Sequence, residues 1–291
     1  MAHFVGAPPQ AAAKHLAPGA WSPGDRKPAL PDVNTRPRTV SVVIPVKDDA
    51  PQLARCLRAL RNQTVPADQI VVVDNDSRDA SALVALATGV EVVPCSTPGI
   101  PAASARGYDC ATGDVILRLD ADCIPGREWI ERMLDAFAQH PDAGAITGAA
   151  PFADGPRTLR VVLAWTYLGA YFAVAATALG RPPLFGSNFG MRRGAWTEAA
   201  RSVHRDRSDI HDDLDLAFHL GERHPIRFSR DLPMAVSFRP MRSLSSFRER
   251  VARGFRTVFL HWPDDFPPCR WGRLWLLGWV RRRRRVRAAR C

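Results

Sequence analysis

Two carboxylates, Asp120 and Asp122, stand two residues apart in Leu-Arg-Leu-Asp-Ala-Asp-Cys (117–123), just past a hydrophobic run. Like charges that close repel unless a cation offsets them. Hard divalent ions such as Mg²⁺ or Mn²⁺ take oxygen ligands and keep positions open for phosphate. Cys123 beside the pair reads as a small packed residue, because a soft thiolate mismatches a hard cation. A second acidic group, His-Asp-Asp-Leu-Asp-Leu (211–216), leads into Ala217, Phe218 and Leu220. Acids there suit chemistry, and they equally suit a helix N-terminus, where Asp209 or Asp212 would cap the free N–H groups.

The elements that must position these acids alternate in type. Thr39–Pro45 is a β-branched run with the look of a buried strand. Leu53, Cys56, Leu57 and Leu60 follow at helical spacing, with Pro51 near the helix start. Further strands are expected at 69–74, 90–93 and 115–119, and helices near 80–87 and 102–111. Such alternation gives a mostly parallel wound α/β sheet, whose ligands sit beyond the carboxyl ends of the strands. Asp48 and Asp49, Asp74 and Asp76, and Asp120 and Asp122 follow three of those ends, so the three groups are expected on one rim.

Taken in order, Ser41–Pro45 with Asp48 and Asp49, Val71–Asp79, Gly113–Cys123, Gly186–Arg193 and Asp212–Leu216 resemble the family 2 glycosyltransferases, inverting sugar transferases of the GT-A fold. The resemblance covers residues 39 to about 220. It implies a nucleotide-diphosphate sugar donor lying over the first two strand ends, with Asp49 and Asp74 on base and ribose and Pro45 and Asp76 in the same donor site. Asp120 and Asp122 would serve the diphosphate through Mg²⁺ or Mn²⁺. Asp213 matches the family's catalytic base, with Asp212 in place of Glu and Asp215 in support. Gly186, Asn188, Arg193 and Asp212 would line the donor and acceptor pocket. One base and one metal suggest single displacement with inversion, since retention by double displacement needs an enzymatic nucleophile on the opposite face. The chain departs from the family at Ser104-Ala105-Arg106, where many relatives carry Arg-Asn, and Arg106 reads as a surface residue.

Composition divides the chain. Residues 1–38 are rich in Pro, Ala and Gly and read as a flexible tail; 39–240 hold the catalytic domain; 241–291 form a basic, Trp- and Arg-rich segment. Beyond Leu220 the chain has 18 Arg, no Lys and 5 acids, a net of +13 against +11 for the whole, which leaves −2 for the first 220 residues. Val161–Leu179 has no charge and raises the question of a membrane span. A buried or interfacial helix is the expectation, because a span would put Asp120 and Asp213 on opposite sides of a bilayer. Six cysteines without a CxxC pair, and no signal-like start, point to a cytoplasmic setting.

Three rival readings are weaker. A sugar-nucleotidyltransferase needs a Gly-rich loop after its first strand, where this chain has Pro-Val-Lys-Asp-Asp. Nucleic acid is not expected as a partner, because an acidic rim opposes a polyanion, although Arg281–Arg285 suit one. A catalytically inactive homologue would not need Asp120, Asp122 and Asp213 together. The arginine run beside Trp271, Leu274 and Trp275 instead suits an anionic membrane surface, at the inner face of the cytoplasmic membrane, with a carbohydrate or lipid-linked acceptor.

Overall fold

The apolar run at the first expected strand becomes β1 (Val40–Val46), buried along its whole length. It lies between β2 (Gln69–Asp74) and β4 (Val115–Arg118), parallel to both, and β3 (Glu91–Pro94) adds in parallel to β2. Side chains of β1 alternate between faces. Val42 and Ile44 join a core with Leu53, Leu57 and Phe137, whereas Val43 joins one with Ala103, Phe189 and Phe218. A strand buried on both faces takes apolar residues at nearly every position, which is why the run is continuous rather than alternating, and the one polar member, Ser41, is satisfied by Gln69.

The computed structural model describes residues 37–152, 160–237 and 243–288. The expected tail, 1–38, lies almost wholly outside the described residues. Helices α1 (Ala50–Arg61), α2 (Ser81–Ala87) and α3 (Ile100–Cys110) connect the parallel strands. They fall where the apolar spacing places them, and prolines at the starts of α1 and α3 occupy positions whose N–H has no helical partner. Beyond β4 come a short β5 (Ile124–Pro125), α4 (Trp129–Gln139) and β6 (Ala145–Thr147), then α5 (Arg160–Leu179), β7 (Phe189–Arg192) and α6 (Arg193–Ala199). Last come α7 (Asp212–Arg223), β8 (Ile226–Phe228), β9 (Met234–Ala235), α8 (Leu244–Leu260) and α9 (Pro267–Ala288). The main sheet has seven strands in the order β3-β2-β1-β4-β7-β6-β8, with β7 antiparallel to both neighbours and the other pairs parallel.

The uncharged stretch is α5, and its described part is not buried all round: Ala175, Ala178 and Leu179 face the core while Val174 is 64% exposed. Among the described residues no helix is long and apolar enough to cross a membrane. The basic segment is not detached from the catalytic layers. Arg270 is buried and donates to the carbonyls of Leu179 and Phe218, and Trp271 Nε1 donates to Thr177 O. Leu274 is buried beside them, while Trp275, Leu276, Leu277 and Trp279 face outward.

Candidate active site

The strands β1, β2 and β4 run parallel and adjacent, so the acids that follow them share one rim. Two loops on that rim are laced together. Asp48 accepts the Arg78 N–H, Asp79 accepts those of Ala50 and Ser81, and Lys47 Nζ reaches the Asn75 carbonyl at 2.9 Å. Asp49 and Asp74 are half-buried and Asp76 is exposed, so all three border the open side of the rim. Pro45 differs from expectation: it is buried inside β1, opposite Val73, and its ring offers nothing to a donor. Its missing N–H falls past the last β4 pairing, Val43 with Arg118, where no ladder bond is lost.

Asp120 stands just beyond β4, with Oδ1 2.9 Å from Arg118 Nη2 and Oδ2 accepting the Ser187 hydroxyl at 2.6 Å. Arg118 is fully buried, and the same Nη2 lies 3.3 Å from Asp212 Oδ2. Burial works against its charge, but Asp120 and Asp212 raise its pKa and hold it protonated. Asp212 also accepts the Ser104 hydroxyl at 2.8 Å. Burial pushes the Asp212 carboxyl up, and Arg118 opposes this. Asp212 therefore supports Arg118 from the side of α7, with Ser104 as its partner on α3, and the cleft it lines is the one beside Tyr108, His204 and Asp215. Arg106 is exposed, as expected.

Asp213 takes the Gly186 N–H on Oδ2 at 2.7 Å and the Leu214 N–H on Oδ1 at 2.8 Å. Each carboxylate oxygen has two lone pairs, so both oxygens retain one. The loop Phe185-Gly186-Ser187-Asn188 thus touches the acid pair on one side and Asp213 on the other. The N-cap of α7 is His211, neither Asp209 nor Asp212, and its side chain makes no capping bond; Asp209 pairs with Arg207 instead.

Two expected pocket residues are placed elsewhere. Asn188 is completely buried: its Oδ1 accepts the Trp129 indole N–H, and its Nδ2 donates to the carbonyls of Ala149 and Leu232. It holds the loop to α4 and β6 and touches no open surface. Arg193 lies at the opposite end of β4 from Asp120, its backbone N–H on Asp114 O and its Nε on Gly113 O. The antiparallel run of β7 carries the chain from Asn188 at the rim to Arg193 at the far edge, a distance that the Gly-Ser-Asn-Phe-Gly-Met-Arg-Arg segment does not announce.

The donors Asp120 and Asp122 are both half-buried, and with Cys123 their ligand atoms lie within 4.8 Å of one another. Cys123 is buried, and burial followed by the two aspartates pushes its thiol well above its ordinary range, so it stays protonated. Among the described residues, Asp120, Asp212 and Asp213 all act on the Arg118 guanidinium, which leaves their carboxylates in excess of that one positive charge, and Asp122 stands beside Asp120. Partly open carboxylate oxygens with such an excess fit a hard divalent ion.

A model of the family "Glycosyl transferase family 2" matches residues 41–198, more than half of the chain and all of the rim described above except α7. The chain belongs to this family. Among curated relatives, "Glycosyltransferase AglE" of Haloferax volcanii is 34% identical over 101 residues, covering 32% of this chain and 33% of that protein. An undecaprenyl-phosphate 4-deoxy-4-formamido-L-arabinose transferase of Pseudomonas paraeruginosa is 35% identical over 113 residues, covering 35% of this chain and 33% of that protein. The chain thus spans about a third of the length of these relatives. Of solved structures, a mannosyltransferase from Pyrobaculum calidifontis in complex with GDP-Man and Mn²⁺ superposes with a TM-score of 0.59 at 20% identity, over 84% of this chain and 71% of that one. The sheet order and its flanking helices are those of the GT-A glycosyltransferase fold.

The sequence alone did not single out Arg118 or Ser187. Arg118 reads as one polar residue in a strand pattern, and its place inside a fully buried stretch ending in acids is the signal that marks it as an ion-paired group.

Proposed function

We propose that this family 2 chain transfers a sugar from a nucleotide-diphosphate sugar to an acceptor hydroxyl by single displacement with inversion. Asp213 removes the acceptor proton, and Asp120 and Asp122 hold Mg²⁺ or Mn²⁺. The observation that carries this reading is the bridge made by two adjacent residues: Gly186 N–H binds Asp213 and the Ser187 hydroxyl binds Asp120. Base and metal-binding acid are therefore fixed relative to each other, which is what an in-line displacement requires.

The metal, when bound, would neutralise charge on the departing nucleoside diphosphate. The protein's own residues do the remaining work. Arg118 fixes the Asp120 carboxylate, Asp212, itself held by the Ser104 hydroxyl, fixes Arg118, and Asp213 keeps a lone pair on each oxygen for an acceptor proton. The GDP-Man and Mn²⁺ bound by the Pyrobaculum enzyme support a nucleotide-sugar donor with a divalent ion.

For the acceptor we propose a lipid-linked carrier met at the inner face of the cytoplasmic membrane. The name of the Pseudomonas relative gives this direction. Support comes from the exposed Val174 on α5 and the exposed Trp275, Leu276, Leu277 and Trp279 on α9, two helices that pack together. Tryptophan beside an arginine run suits the headgroup layer of an anionic bilayer.

The test of the donor site is calorimetry with a panel of UDP- and GDP-sugars across a Mn²⁺ titration. A metal-dependent donor is expected for the wild type, and Asp120→Asn and Asp122→Asn should remove the metal dependence while leaving the circular dichroism spectrum unchanged. Equal donor affinity in all three proteins, with or without metal, would contradict the assignment.

A further inference from the structure

Three imidazoles and one carboxylate meet on the side of α7 away from the rim. His204 comes from the loop between α6 and α7, Asp215 and His219 stand one turn apart on α7, and His261 follows the end of α8. One ligand atom from each lies within 4.8 Å of all the others. Asp213 and Asp215 are two residues apart, about 200° around the helix. The face that carries this cluster is therefore not the face that carries the base.

Asp215 Oδ1 is the centre: His204 Nδ1 lies at 2.7 Å, His261 Nε2 at 3.3 Å and His219 Nε2 at 3.5 Å. His261 Nε2 and His219 Nε2 are 3.4 Å apart. Asp215 Oδ2 is occupied by the His204 backbone N–H at 2.9 Å. His261 Nδ1 lies 2.8 Å from Thr257 O, and a carbonyl only accepts, so the proton of a neutral ring is on Nδ1. The lone pair on Nε2 therefore points at a carboxylate oxygen and at another imidazole nitrogen. Two acceptors face each other in a buried place, and a second proton on the ring or a metal ion between them resolves the conflict; the convergence of four ligand atoms suits the metal ion.

The spacing says which cation. Four ligands set tetrahedrally at zinc–nitrogen distances of ~2.0–2.1 Å are ~3.3 Å apart. The three contacts of 3.3, 3.4 and 3.5 Å are such edges, and the shorter one to His204 belongs to the most exposed and most adjustable of the three rings. Supporting bonds resemble those of metal-bound histidine, whose second nitrogen donates to a backbone carbonyl. The His261 ring is further fixed by stacking on Phe218, with centroids 4.0 Å apart and planes 12° from parallel. A small cleft lined by Ser104, Tyr108, His204, Asp212 and Asp215 gives the cluster a path to solvent.

We propose that His204, Asp215, His219 and His261 form a tetrahedral site for Zn²⁺ or a similar borderline divalent cation, which staples α8 to α7 behind Asp212 and Asp213. Imidazole nitrogens select this class of ion over Mg²⁺, and a set of four protein ligands leaves no position for substrate. The site is structural, and it rests on no part of the donor-sugar reading. Its effect on the rim is to fix the helix that begins with Asp212 and Asp213.

The test uses untagged full-length protein, stripped with chelator and then exposed to Zn²⁺ or Co²⁺ near neutral pH, in an Asp120→Asn/Asp122→Asn background that removes the oxygen-rich pair. Expected are one Zn²⁺ per chain by mass spectrometry, the intense visible absorption of four-coordinate Co²⁺, and a rise in melting temperature on adding Zn²⁺. His204→Ala/His219→Ala, whose rings are the two more exposed, should keep the circular dichroism spectrum and bind at least about a hundredfold more weakly, as loss of direct ligands should exceed the 10–100-fold typical for outer partners. If that variant fails to fold, His219→Gln alone carries the comparison. No zinc taken up by the background protein, or zinc held equally by the histidine variants, overturns the site.

Discussion

Gly186 and Arg118 occupy space that only glycine leaves open: a Cβ at 186 would lie 1.7 Å from Arg118 Nη1 and 3.1 Å from Asp213 Oδ2. The guanidinium can give way only by losing its contacts, because it is buried and held by Asp120 on one side and Asp212 on the other. Absence of a side chain at one loop position is thus what lets the ion pair and the base meet. The backbone N–H of that same residue binds the base.

Gly186→Ala is expected to displace Arg118 and lower stability by about 1–3 kcal/mol, the usual cost of forcing an extra methyl into packed surroundings. Urea unfolding measures this. Donor binding should weaken with it, because Asp120 loses its fixed partner.

Asp212 makes a prediction about pH. Burial raises its folded pKa above the ordinary carboxylate value of about 4. Between that value and the raised one the folded chain holds a proton that the unfolded chain has released, so stability falls as pH rises through this window. Asp212→Asn cannot titrate, and its unfolding free energy should lack that fall when measured in urea from about pH 4 to 7. A wild-type slope unchanged in the variant would show that Asp212 keeps an ordinary pKa.

What the sequence discloses here follows from periodicity. β1, β2, β3 and β4 and their connecting helices fall where β-branched runs and helical spacing put them, because each is buried on a face set by residues close in the chain. Asp120, Asp122 and Asp213 stand out in the sequence for a related reason: Asp120 and Asp122 follow a buried strand and Asp213 opens a helix, both of them positions set by residues close in the chain. Asn188 and Arg193 lie away from the pocket that their segment suggests, because their environments depend on long-range geometry. The amide of Asn188 is satisfied by Trp129, Ala149 and Leu232, and no local pattern announces three partners from three segments. His204, His219 and His261 escaped for the same reason, lying far apart in sequence and meeting only when α8 folds back on α7.

The membrane reading is tested on the full chain, since removing residues past Pro268 would also remove the buried Arg270. Trp275 is 73% exposed and Trp279 also faces outward, so Trp275→Ala/Trp279→Ala should fold normally. Flotation with anionic liposomes should be strong for the wild type, weaker with neutral lipid or high salt, and weak for the double variant. Equal flotation of both proteins would remove the tryptophans from the account, and flotation of neither would remove the membrane.

The most direct test of the central claim is Asp213→Asn. With the donor that binds in the metal titration and an acceptor that supports turnover, the variant should bind donor as the wild type does. Its turnover should fall by at least about a hundredfold, since an amide cannot take the acceptor proton. The anomeric configuration of the wild-type product, read by NMR in the same experiment, should be inverted. A nearly active Asp213→Asn protein, or retention at the anomeric carbon, would contradict the assignment of Asp213 as the base of a single displacement.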